Sequence, residues 1–258
     1  MTAIGYQLSS LKPVLCCVQQ VQEALRRLKE MGYHTLQIQW ISPEVPDEAV
    51  ANALLENEMT CLGVQDRYPA IREGFERFVR QNRLFGGSDL CISGIPPENF
   101  SEEGIAAYAG ELGCMSARLA GEGMSLSFHP VSVDYAPVNG IPALMRLLDA
   151  LPDMKLTLCV YHAVRAGLDP AALLERYRGR VDIVHFKDYA VGADGEAYLV
   201  PTGQGEIDWP PIFAACSRTG VRWGLAEQER WRKDPFVCAQ ESRRYILENG
   251  IADAQQDR

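Results

Sequence analysis

Short apolar segments alternate with amphipathic segments along the whole chain, and most apolar segments end in polar residues. The apolar segments predict strands over 3–10, 34–40, 59–66, 88–93, 124–130, 154–159, 180–189 and 221–230. The amphipathic segments predict helices over 17–32, 46–58, 70–84, 101–123, 141–151, 169–179, 208–220 and 234–250. Eight strands in strict alternation with eight helices, without hairpin signals between consecutive strands, predict an α/β fold of the (β/α)8 TIM-barrel type.

Local signals mark several of the predicted helix ends. Ser101 stands at an expected N-cap, and Pro170 follows Asp169 at an expected first helical position. Gly32 and Gly220 stand where two helices should stop. The segment 189–207 is long for a connection in a compact domain, and its Asp-Gly pair at 194–195 suggests a small hairpin over the barrel mouth.

Length and composition fit one barrel. The chain has 258 residues and 47% hydrophobic residues, and no linker divides it. We therefore expect a single domain over 1–250 and a frayed tail over 251–258. Eight cysteines without a C-x-x-C pair indicate mostly buried, reduced thiols.

Charge and hydropathy exclude two classes of partner. The formal net charge of −9 and the scattered basic residues argue against a nucleic-acid surface. No apolar segment approaches membrane-spanning length, and the first residues lack the pattern of a signal peptide. We expect a cytoplasmic protein that acts on a small molecule and binds neither nucleic acid nor membrane; a homo-oligomer stays open.

Imidazoles and carboxylates gather at one predicted rim. Three of the four histidines, and three acidic residues, fall at or just after the carboxyl ends of strands five to eight: His129, Asp134, His162, His185, Asp188 and Glu227. These side chains are ligands for Zn, Mn, Co or Mg. For a single such histidine, a structural hydrogen bond is the competing interpretation.

These segments resemble the sugar phosphate isomerase/epimerase family of xylose-isomerase-like barrels, which is related to inosose dehydratases and ketose 3-epimerases. The similarity covers most of the chain and is strongest in 166–189, 203–220 and 225–231. The resemblance implies one divalent metal ion. Its family ligands are a carboxylate after strand five, an aspartate ending strand six, a histidine ending strand seven and a glutamate ending strand eight.

Matched residue by residue, the resemblance implies metal ligation by His185 and Glu227. Asp134 matches the carboxylate after strand five, although it is one methylene shorter than the family's glutamate. His162 matches a position used for substrate or metal. His129, Lys187 and Asp188 fall on family motifs and become candidates for substrate binding.

Three positions depart from the family pattern. Cys159 stands where the strand-six aspartate is expected, Gln37 where strand two often carries a glutamate, and Gln65 where strand three often ends in histidine. A thiolate prefers Zn to Mg or Mn, so either Cys159 ligates a soft ion or the metal site is incomplete. Overall, Zn or Mn is expected over Mg, and loss of the metal is the alternative.

The remaining candidates are weaker. Gln37 and Gln65 become substrate contacts, Arg165 and Lys187 could neutralise an anionic substrate, and Trp40 follows a strand toward the mouth. Tryptophans and surface cations serve packing and solvation more often than binding.

The sequence therefore predicts an isomerase or epimerase acting on a small sugar or polyhydroxylated carbonyl compound. Glu227 and Asp134 would remove and return a proton next to the carbonyl. A lyase or dehydratase begins with the same proton abstraction and is the nearest alternative. A catalytically degenerate sugar-binding barrel is a second alternative, and an abasic-site endonuclease is opposed by the acidic charge.

Overall fold

Eight parallel strands close into one barrel, which confirms the predicted fold class. The computed structural model describes residues 2–251. The strands are β1 (Ala3–Gln7), β2 (Thr35–Ile38), β3 (Thr60–Arg67), β4 (Asp89–Ser93), β5 (Ser125–His129), β6 (Lys155–Cys159), β7 (Ile183–Phe186) and β8 (Trp223–Ala226). Each strand pairs with its neighbours in chain order, and β8 pairs with β1 to close the sheet.

Helices surround the barrel. The longer ones are α1 (Val18–Glu30), α2 (Asp47–Glu56), α3 (Phe75–Phe85), α4 (Glu102–Gly121), α5 (Ala143–Ala150), α6 (Pro170–Arg176), α7 (Trp209–Thr219) and α8 (Pro235–Asn249). Shorter helices are Leu8–Val14, Tyr68–Glu73, Pro97–Asn99, Ser132–Tyr135 and Val160–Arg165. No helix within residues 2–251 is long and apolar enough to cross a bilayer.

The helix signals act as their chemistry predicts. Ser101 Oγ accepts the backbone N–H of Gly104 at 2.9 Å, and an Asp169 carboxylate oxygen accepts that of Ala171 at 2.8 Å. Both bonds satisfy amides that have no partner inside the helix. The apolar stripe of α1 is buried at Val21, Leu25 and Leu28, so its sequence period sets the face that packs on the barrel.

Several boundaries differ from the predicted ones. The segment 180–189 supplies a barrel strand only over Ile183–Phe186, because the chain then turns into a hairpin of Asp188–Val191 with Ala197–Val200. The helix expected over 70–84 divides at Gly74. Ile251, expected in a frayed tail, is buried and donates its N–H to Ile246 at 3.2 Å; the rest of that tail lies outside the described residues.

Close strand packing explains one glycine of β3. A Cβ atom on Gly63 would lie 1.9 Å from the carbonyl oxygen of Asp89 on β4. A larger residue would therefore force these two strands apart at the start of β4. Farther along β3, Gln65, Asp66 and Arg67 carry polar side chains toward the carboxyl end of the strand.

Candidate active site at the carboxyl ends of the strands

Every barrel strand contributes one buried polar side chain to a layer at its carboxyl end. Seven stand within the strands and the eighth directly follows β8: Gln7, Gln37, Gln65, Ser93, His129, Cys159, His185 and Glu227. Strand register sets neighbours side by side, since Gln7 is paired with Gln37, Ser93 with His129, and Cys159 with His185. In such barrels this end is the one that carries the reaction site.

Four of these side chains form the ligand cluster, defined as His129, Cys159, His185 and Glu227. One nitrogen, sulfur or oxygen atom from each residue lies within 4.8 Å of all the others. His185 Nδ1 is 3.1 Å from a Glu227 carboxylate oxygen, and the Cys159 sulfur is 3.9 Å from the same oxygen. The cluster is buried, so its charges interact with little screening by water.

His129 presents one free nitrogen to the cluster. Its Nδ1 lies 3.1 Å from Ser93 Oγ, while within residues 2–251 its buried Nε2 has no hydrogen-bond partner. The His129 and His185 rings are 4.8 Å apart between centroids. A buried nitrogen without a partner is costly, so this position calls for a ligand.

Lys187 supplies positive charge beside the cluster. Its ammonium is 2.6 Å from a Glu229 oxygen and 3.8 Å from a Glu227 oxygen. Burial lowers the pKa of Lys187, but the two glutamates outweigh it and hold that pKa above its usual value. Burial also raises the pKa of Glu227, but Lys187 and His185 lower it by more. The pKa of Glu227 therefore lies well below its usual range. Glu227 is therefore a carboxylate.

His129 and Cys159 are uncharged in the metal-free protein. Burial, with His185 next, lowers the pKa of His129 well below its ordinary value. Burial and then the Glu227 charge raise the pKa of the Cys159 thiol. The thiol becomes a ligand only when a metal ion displaces its proton.

Asp134 lies outside the ligand cluster. Its two carboxylate oxygens accept the backbone N–H groups of Ile95 at 3.0 Å and Val131 at 2.7 Å. Burial raises its pKa to about 6 against these two bonds. The carboxylate therefore holds the connections after β4 and β5, whereas the resemblance had implied a metal ligand and a second proton carrier at this residue.

His162 stands beside the cluster without belonging to it. Its ring centroid is 5.7 Å from that of His129, and its Nδ1 accepts the backbone N–H of Ser132 at 3.3 Å. Because Nδ1 accepts, the proton of the neutral ring is on Nε2. Burial, with Lys187 next, lowers the pKa of His162 to about 4.

The Asp188 carboxylate accepts hydrogen bonds from the loop that follows the hairpin. One of its oxygens accepts the N–H groups of Gly203 at 2.9 Å and Gly205 at 3.2 Å, and the indole N–H of Trp209 at 2.8 Å. A Cβ atom on Gly205 would lie 2.1 Å from the carbonyl oxygen of Tyr189. The loop of residues 201–207 thus folds tightly around Asp188, which anchors the loop beside β7.

Two further candidates lie at the rim. Arg165 is exposed, with its guanidinium carbon 5.5 Å from the Tyr189 ring centroid. Trp40 is half-buried and has the Lys12 ammonium 4.6 Å from its ring centroid. Neither contacts the ligand cluster through a bond that the structure records.

The sequence interpretation missed three polar residues of this region. Gln7, Ser93 and Glu229 make contacts to the residues described above. A signal for the first two was present, because Ser93 ends a predicted strand and Gln7 lies in the second half of another, as His185 does. Glu229 stands two residues after Glu227, and only the structure shows that it forms an ion pair with Lys187.

The donor atoms suit a divalent metal ion. Two imidazole nitrogens, a sulfur and a carboxylate oxygen are the ligand types of zinc, and the His129 Nε2, without a hydrogen-bond partner within residues 2–251, is available as one of them. Magnesium prefers a set of oxygens, which this cluster lacks.

Comparison with known proteins identifies the family to which this barrel is similar. The family model for the xylose isomerase-like TIM barrel matches residues 18–248. Inosose dehydratase of Lacticaseibacillus casei is 28% identical over 144 residues, which are 48% of this chain and 47% of that protein. The alignment thus spans about half the length of that curated relative.

Solved structures share the fold. A sugar phosphate isomerase/epimerase of Parabacteroides distasonis superposes with a TM-score of 0.82 at 16% identity, over 96% of this chain and 98% of that one. An L-ribulose 3-epimerase superposes with a TM-score of 0.76 at 16% identity, over 96% and 94% of the two chains. With the family match covering nearly all of the barrel, this chain belongs to the xylose isomerase-like TIM barrel family.

Proposed function

We propose that this protein is a metal-dependent enzyme that removes a proton next to the carbonyl group of a small polyhydroxylated compound. The observation that carries the proposal is the ligand cluster, with four donor atoms within 4.8 Å of one another at the reactive end of the barrel. A divalent ion held there supplies Lewis acidity, which polarises a carbonyl and acidifies the adjacent C–H bond.

Glu227 is the proposed base. It is a buried carboxylate, and Lys187 lies 3.8 Å from one of its oxygens. The Lys187 ammonium stays protonated and stabilises negative charge that develops on the substrate oxygen. Glu229 holds that ammonium in place from the other side.

Elimination of water is the reaction that this geometry supports best. Glu227 would take the proton from carbon, the C–H electrons would form the new double bond, and the C–O bond on the next carbon would break. Glu227 would then pass that proton to the departing hydroxide, so that water leaves, and His162, whose proton is on Nε2, would donate a hydrogen bond to that oxygen. Similarity to the inosose dehydratase of Lacticaseibacillus casei agrees with a dehydratase.

Isomerisation or epimerisation is the second candidate, supported by the fold of the 3-epimerase neighbour. Epimerisation needs a proton carrier on each face of the carbon. The second carboxylate expected for this task, Asp134, is occupied by two backbone amides, so a different group would have to serve.

The test incubates zinc- or manganese-loaded protein with a panel of inososes and ketoses in deuterium oxide. Proton NMR follows the signal of the proton on the carbon next to the carbonyl. A dehydratase yields water and an unsaturated ketone, whereas an epimerase yields the inverted sugar with deuterium at the inverted carbon. Glu227→Gln should abolish either change. Glu241→Gln, in which the altered carboxylate lies on α8 and contacts Gln204 and Lys233, should preserve it. Ligand binding without any exchange would support the degenerate barrel instead.

A further inference from the structure

Three buried glutamines connect the first three strands to the ligand cluster. The side-chain amide nitrogen of Gln7 donates to the Oε1 atoms of Gln37 at 2.8 Å and Gln65 at 3.1 Å. Gln37 Oε1 in turn lies 2.7 Å from His185 Nε2. All three glutamines are fully buried, so these bonds do not compete with bulk water.

The bonds fix which nitrogen of His185 carries a proton. An amide oxygen only accepts, so His185 Nε2 must be the donor to Gln37. In the neutral ring, Nδ1 then keeps its lone pair, and this atom lies 3.1 Å from a Glu227 oxygen. Two acceptors facing each other at that distance are stable only with a cation or a proton between them.

Gln7 is what keeps Gln37 in this orientation. If the Gln37 amide turned over alone, its NH2 group would face the NH2 group of Gln7 at 2.8 Å. Gln7 commits its NH2 group to both neighbours, and the three amides can therefore reverse only together.

We infer that Gln7 is a positioning residue, which acts through Gln37 to hold the proton of His185 on Nε2 and thereby leaves Nδ1 to the metal. The inference rests on the proposed function only for the identity of the ion as a catalytic metal. Gln37, expected from the sequence to contact substrate, is assigned here to His185. Partners of this kind orient metal-binding histidines and raise metal affinity.

Nitrogen-15 NMR of histidine-labelled protein tests the inference without any substrate. The chain has four histidines, and loss of one signal set in His185→Gln assigns the residue. At neutral pH the metal-free wild type should show a proton on Nε2 of His185, whether or not a second proton lies between Nδ1 and Glu227. A bare Nε2 with the proton on Nδ1 would mean that the three amides are reversed, and it would overturn the inference.

Variants separate the two links of the chain. Gln37→Glu keeps an acceptor and should keep the proton on Nε2, whereas Gln37→Leu should move it to Nδ1, where Glu227 accepts it. Gln7→Leu frees the Gln37 amide and should give a mixture of the two forms. Gln81→Leu, in which the lost amide contacts Asp47 outside the polar layer, is the control and should match wild type. A Gln7→Leu spectrum identical to wild type would refute the role of Gln7.

Zinc affinity gives a second readout. Gln37→Leu should bind zinc about 10–100-fold more weakly although all four cluster residues remain. Gln37→Glu should recover the affinity, and unchanged affinity in Gln37→Leu would count against the inference. Turnover by a protein with a reversed tautomer would refute this inference alone, whereas the expected tautomer without any turnover would refute only the proposed function.

Discussion

At the residue scale, the chemistry of this site depends most on Cys159. The resemblance implied an aspartate here, and the thiol offers a softer sulfur in place of a hard oxygen; this sulfur lies 3.9 Å from a Glu227 oxygen. The thiol is fully buried and protonated until a metal ion binds. His129 adds a nitrogen donor, so that the cluster offers four possible ligand atoms.

We expect exchange of Cys159 to change metal preference. Cys159→Asp should bind manganese at least about 10-fold more tightly than wild type and zinc less tightly, because the carboxylate restores a hard oxygen donor. Cys159→Ser should weaken zinc binding. Calorimetric titration with both metals measures this, and Cys91→Ser, a buried thiol outside the ligand cluster, is the matched control. Equal affinities in all four proteins would exclude Cys159 from the metal site.

Asp89 should make stability depend on pH. It is buried at the start of β4, where its oxygens accept the hydroxyls of Ser125 at 2.8 Å and Ser127 at 2.5 Å. Burial raises its pKa from 3.8 to about 6 despite these bonds. A raised carboxyl pKa gives stability that is complete below the unfolded pKa and lost as pH rises through about 6, by at most about 3 kcal/mol.

Asp89→Asn removes that loss. Its free energy of unfolding relative to wild type should therefore rise between about pH 4 and about pH 8, as urea denaturation at both values would show. The exposed Asp153→Asn serves as the control. A difference that stays constant across this range would contradict the assignment.

At the element scale, sequence patterns predicted the strands well and the connections poorly. Strand ends could be read because β2, β5 and β7 are short apolar segments that stop at polar residues. The hydrogen-bond partners of Asp134 and Asp188 could not be predicted. Each carboxylate accepts backbone N–H groups of loops, and no hydrophobic period in the sequence encodes the path of a loop. Gln7 was predicted only in part: the sequence predicted its strand but not its hydrogen bonds to Gln37 on β2 and Gln65 on β3.

The loop of residues 201–207 should depend on Asp188. Asp188→Ala leaves the N–H groups of Gly203 and Gly205 without their acceptor, at about 1 kcal/mol for each lost hydrogen bond. Hydrogen–deuterium exchange of this loop should become faster by at least about 10-fold. Asp194→Ala, at the exposed tip of the neighbouring hairpin, should leave the loop unchanged. Equal protection in Asp188→Ala and wild type would show that the carboxylate does not anchor it.

At the scale of the whole molecule, barrel closure assembles the site. Pairing of β8 with β1 brings Glu227 into one layer with His129, Cys159 and His185, which come from three other strands. The same closure sets the amides of β1 to β3 against His185. The family fold predicts this meeting of strand ends, whereas the side-chain geometry alone shows that His129 lies in the cluster and that Asp134 lies outside it.

Zinc titration of chelator-treated protein tests the central claim most directly. The account predicts one zinc ion bound per chain, with binding lost or weakened by at least about 100-fold in His185→Gln and Glu227→Gln, because each variant removes a donor of the ligand cluster. Asp134→Asn should bind nearly as wild type, since its carboxylate faces two backbone amides. Absence of zinc binding in the wild type, or unchanged binding in His185→Gln, would contradict the account.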